Sequence, residues 1–102
     1  MPNLQDVLFY LGIDYDDTMV SANAERALNT AIQIMCGAIG EDVKVYLPDD
    51  PRVDELVLIY ADDLYSQRGG SAKVSNATRR LVSDMELQLR MELRRAKEAA
   101  GA

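Results

Sequence analysis

Residues 51–68 read PRVDELVLIYADDLYSQR, and the rest of the chain has to be arranged around this stretch. On a helix, Val53, Leu56, Val57, Tyr60 and Leu64 recur at the three-and-four spacing of one face. Leu58, Ile59 and Tyr65 fall on the flanks, so little of the circumference is polar. A helix that is apolar nearly all round belongs at the centre of a bundle. Asp50 reads as its N-cap, Pro51 as its first helical residue and Gly69-Gly70 as its stop.

Upstream, Asn3 caps a short helix whose stripe is Leu4, Val7, Leu8 and Leu11, ended by Gly12. Asp14-Tyr15-Asp16-Asp17 follows as an acidic turn. It lacks the glycine and the distal glutamate of a calcium-binding loop, so Asp16 or Asp17 is read as the cap of the next helix. That helix runs over 18–39, with Val20, Ala24, Ala27, Ala31, Ile34, Met35 and Ala38 on one face and Leu28, Ile32 and Ile39 widening it. So many alanines let a neighbouring helix approach closely. Residues 41–48 alternate Val43, Val45 and Leu47 with polar or amphipathic positions, which predicts an extended connector.

Downstream, a loop over 69–75 and a cap at Ser75 or Asn76 lead into a final helix over 77–98, with a fraying end from Lys97 to Ala102. Leu81, Val82, Met85, Leu89, Leu93 and Ala96 share its main face. Leu87 and Met91 form a second, smaller seam nearly opposite. A helix with two apolar sides has more to cover than one small bundle provides, which points to self-association. The expected fold is therefore an all-α, four-helix subunit, with helices near 4–11, 18–39, 51–68 and 77–98, in one domain spanning 1–102.

Composition bounds the function. The 102 residues are 48% hydrophobic and 27% charged, the balance of a globular domain. No apolar run approaches the roughly 20 residues that cross a bilayer, and no signal peptide is expected. The single cysteine, Cys36, allows no internal disulfide and fits a reducing compartment. With no histidine, His-based acid–base catalysis and His metal ligation are excluded. No phosphate loop or dinucleotide fingerprint occurs, so neither enzyme activity nor a cofactor is expected. Asp62-Asp63 in the central helix is a candidate carboxylate pair, but adjacent helical residues point about 100° apart. These two are read as solvent-facing or as subunit contacts. Charge is uneven. Residues 1–75 carry 13 acids and 5 bases, a balance of −8; residues 76–102 carry 4 acids and 6 bases, a balance of +2; together they give −6.

The order of segments adds a resemblance. VLFYLGIDYDDTMV, an alanine-rich helix, IYADDLYSQRG and RLVSDMELQLR follow one another as in the head–tail connector (adaptor) family of long-tailed double-stranded DNA phages. The chain resembles that family from about residue 4 to 90, through Leu8 to Asp17, through Leu64, Tyr65 and Arg68, and through Gln88, Leu89 and Arg90. The resemblance implies an all-α virion subunit that forms a ring, usually dodecameric. Such a ring sits beneath the portal protein, extends the DNA channel without specific DNA binding, and offers a platform to a stopper or tail-completion protein. It places the protein in the virion, and in the host cytoplasm during assembly. Subunit-interface candidates are then Leu87, Met91, Asp62 and Asp63. Residues 91–102 run past the family-like end and are read as a docking tail, with Arg94, Arg95 and Lys97 as portal-docking candidates. A reading of a different class is a small helical dimeric regulator or antitoxin-like protein, binding a partner or DNA through Arg79, Arg80, Arg94 and Arg95.

Overall fold

A computed structural model describes residues 1–67 and 76–101. Its elements are α1 (Leu4–Tyr10), α2 (Thr18–Ile39), α3 (Val43–Tyr46), α4 (Pro51–Gln67) and α5 (Asn76–Gly101). The described residues contain no strand, so the chain is all-α. The expected stop at Gly69-Gly70, the loop over 69–75, the cap at Ser75 and the motif residue Arg68 lie outside the described residues.

The helix starts follow from local chemistry. The Asn3 side chain accepts from the Asp6 backbone N–H, and the Asp6 carboxylate accepts from the Asn3 N–H, each at 2.9 Å. This reciprocal pair satisfies two otherwise orphaned donors. Asp17 caps α2 by accepting from Met19 N and Val20 N at 2.9 and 3.1 Å. At α4, Asp50 Oδ1 accepts from Arg52 N at 2.9 Å, and Pro51 occupies the first turn, where a missing N–H costs nothing.

The core is centred on α2 packed along α4. Ala24, Ala27 and Ala31 of α2 and Ala61 of α4 are buried, and their small side chains leave the two backbones little to hold them apart. Met35, Leu56, Val53 and Val57 fill the space beside them and are fully enclosed. α1 lies across both helices and drives Val7 into the same core, with Leu4, Leu8 and Leu11 partly buried around it. α5 closes the other side through Leu89 and Leu93, with Val82 and Met85 partly buried.

Several expectations are corrected. The extended connector over 41–48 contains a turn of helix, α3. Val43 is fully buried there while Val45 is 71% exposed, so the alternation of apolar residues reflects one buried valine and not a strand. Ile34 and Leu81 are exposed and stand off their core faces. The expected 18–39 helix holds: Gly37 lies within α2, which ends at Ile39 before Gly40 with φ +143°. The tail does not fray at Lys97: α5 continues to Gly101.

Candidate assembly surface

α5 has two differently employed sides. Its inward side is apolar at Leu89 and Leu93 and is flanked by polar fastenings to the body. The Tyr60 hydroxyl donates to Glu86. Arg52 bridges Asp50, with Nη2 to Oδ2 at 2.8 Å and Nε to Oδ1 at 3.1 Å, to Glu92 of α5. Arg52 Nη1 also reaches Gln88 Oε1 at 3.5 Å. Arg90 donates to the Ala38 carbonyl at 3.5 Å, and Lys97 pairs with Asp42 at 2.7 Å.

These fastenings show in the proton affinities. The hydrogen bonds from Arg52 hold the Asp50 carboxyl below its usual range, against a smaller upward push from burial. The Arg52 guanidinium is held more firmly protonated by Asp50 and Glu92. Burial, and then the Glu86 carboxylate, push the Tyr60 phenol upward. The Asp42 carboxylate raises the Lys97 ammonium. Arg52 thus joins the start of α4 to the middle of α5, where an unpaired partner would leave a partly buried charge.

The outward side is basic and apolar. Leu87 is 54% and Met91 51% exposed, one turn apart, and Arg80, Arg94 and Arg95 are exposed on the same helix. Two acids of α5, Glu86 and Glu92, and two bases, Arg90 and Lys97, are turned to the body. The exposed Arg79, Arg80, Arg94 and Arg95 against Asp84 and Glu98 leave the rest of the segment net basic.

The sequence-stated candidates do not form one cluster. Asp62 accepts from Ser66 Oγ at 3.2 Å, and its charge, with that of Glu55, adds to the burial that raises the Tyr10 phenol of α1. Asp62 therefore stands on the side of α4 that faces α1, whereas Leu87 and Met91 are on α5, and α1 and α5 do not touch among the described residues. Asp63 is half-buried and also engaged. Arg94 and Lys97 line an open cleft with Ile39, Gly40 and Asp42. Lys97 is tied to the body there, while Arg94 and Arg95 remain exposed. The described part of this tail, residues 91–101, continues α5, and its Leu93 lies inside the core.

Sequence reasoning missed two features. The fastenings of Tyr60 and Arg52 join residues 26 and 40 positions apart, a separation that no local pattern reveals. The corner between α1 and α2 displays Phe9 at 87%, Tyr15 at 60% and Met19 at 75% exposure. Its signal was present in Phe9, an aromatic residue off the Leu4–Val7–Leu8–Leu11 stripe. No protein-family model matches the chain, and no curated protein or solved structure matches it.

Proposed function

We propose that this protein is a structural subunit of a phage head–tail connector: a ring-forming adaptor that binds beneath the portal, lengthens the DNA channel and presents an attachment platform for a stopper or tail. The observation that carries the reading is the two-sided α5. Its inner side completes the subunit core with Leu89 and Leu93, while Leu87 and Met91 remain unpartnered on the outer side. A ring gives every such seam a partner, because each copy repeats the same contact. The ordered motifs of the sequence supply the family, and the all-α fold agrees with it.

The charge distribution suits the role. Phosphate binding strengthens with each lysine or arginine contact, so a ring built from bodies carrying −8 over residues 1–75 lets DNA pass without holding it. The chain has no histidine, and its one cysteine is buried, its thiol pushed up by burial. That inventory suits a structural part better than an enzyme.

The test is electron microscopy of the purified protein mixed with portal. The expected image is a portal with added ring density on its tail-facing side. A protein that stays dimeric and leaves the portal bare would instead favour the small regulator.

A further inference from the structure

We propose that the outward face of α5 in one copy seats on the corner between α1 and α2 of the next copy, in a head-to-tail contact between two unlike patches. The inference rests on the self-association in the proposed function and names the surface that the Leu87–Met91 seam meets.

The two patches differ in charge and each carries unpartnered apolar side chains. The corner displays Phe9, Tyr15 and Met19, the first and last of them the most exposed large apolar residues described. A phenylalanine with nearly its whole ring in water is a costly arrangement unless something covers it, since burying apolar area is favourable by about 25 cal/mol per Å². Around these three side chains acids outnumber bases. Residues 1–26 contain Asp6, Asp14, Asp16, Asp17 and Glu25 against one arginine, Arg26. Asp16, Asp17 and Glu25 line one open cleft at the start of α2.

The α5 face is the counterpart. Leu87 and Met91 stand among the exposed Arg80, Arg94 and Arg95, with Asp84 and Glu98 exposed on the same side, and Glu86 and Glu92 are taken up by the body. A net basic surround of two aliphatic side chains matches a net acidic surround of aromatic ones. Complementary charge of this kind steers encounter and fixes register. A symmetric contact of α5 with α5 would set two net basic faces together, and one of corner with corner two net acidic ones. The unlike pairing brings opposite net charges together. α1 and α5 do not touch among the described residues, so both patches are open at once and each copy can hold two neighbours. A contact between unlike patches propagates, and it closes into a ring where the rotation permits.

The experiment uses two full-length variants at exposed positions, Leu87→Asp and Phe9→Ser, each crippling one patch. Circular dichroism verifies that both fold. Sedimentation velocity is run on each alone and on an equimolar mixture. Each variant alone is expected to be monomeric where the wild type forms larger species, and the mixture to form a one-to-one dimer that grows no further, since the pair retains one intact contact. Raised salt should weaken wild-type association. The proposal is overturned by a mixture that stays monomeric, by either variant assembling as the wild type does, or by a wild type that is monomeric at millimolar concentration. If Leu87→Asp alone unfolds, Met91→Asp replaces it in the same scheme. Failure of the mixture to pair, while the wild type still rings the portal, would reject this contact and leave the proposed function standing. Pairing without any portal ring would do the reverse.

Discussion

Leu56 is fully enclosed at the crossing of α4 with its neighbours. Truncation to alanine removes its buried methyl groups and leaves a cavity, so Leu56→Ala should cost about 2–5 kcal/mol in a urea titration. A loss below about 1 kcal/mol would show that the site collapses or is not buried. Gly40 makes a different demand. Its φ of +143° is one that other residues rarely adopt, and a Cβ there would stand 2.8 Å from Leu93 Cδ2. Gly40→Ala should therefore lower the melting temperature by displacing Leu93, and with it the seat of α5; an unchanged melting temperature would contradict that close approach. Asp50 gives a pH signature. Its carboxyl is lowered in the folded state, so its contribution is present in full above its unfolded value of about 3.9 and is lost as the pH falls through the lower folded value. Asp50→Asn keeps a cap acceptor and removes the charge. The stability gap between wild type and variant should be widest near neutrality and close in acid, whereas a gap independent of pH would mean that the ion pair with Arg52 contributes nothing.

At the scale of elements, the helices were legible where periodicity and caps agreed. Asn3, Asp17 and Asp50 announced three starts, and the Val53–Leu56–Val57 face identified the central helix. The 41–48 connector was misread because a single turn is too short to show a period: Val43, Val45 and Leu47 fit a strand as well as a turn whose Val43 is buried. The two sides of α5 were readable from Leu89 and Leu93 against Leu87 and Met91. The polar fastenings were not, since Arg52–Glu92 and Tyr60–Glu86 depend on how distant segments meet. They also alter what a truncation means. Deleting 91–102 would remove the buried Leu93, the Arg52 partner Glu92 and the Asp42 partner Lys97, so it should destabilise the body as well as any docking. The double change Arg94→Glu with Arg95→Glu is the cleaner probe, because both side chains are exposed. It should leave the helical circular dichroism signal intact and weaken binding to portal in a pull-down. Undiminished binding would remove these arginines from the docking surface.

The whole molecule is elongated, 49 × 28 × 18 Å, with a radius of gyration of 14.6 Å. A compact domain of this length has about 13 Å. The difference follows from α5, whose 26 residues extend about 39 Å at 1.5 Å per residue, while among its described side chains only Leu89 and Leu93 are buried. A long helix so sparingly packed leaves most of its outer side exposed. The first 26 residues, with five acids and one arginine, and the net basic α5 differ in sign of charge, which suits a contact between unlike surfaces. The most direct test of the central claim is native mass spectrometry of portal mixed with this protein. The account predicts a closed ring with one chain for each portal subunit, and the loss of that complex with Leu87→Asp. A portal carrying no added chains, or a free dimer that ignores the portal, would contradict it.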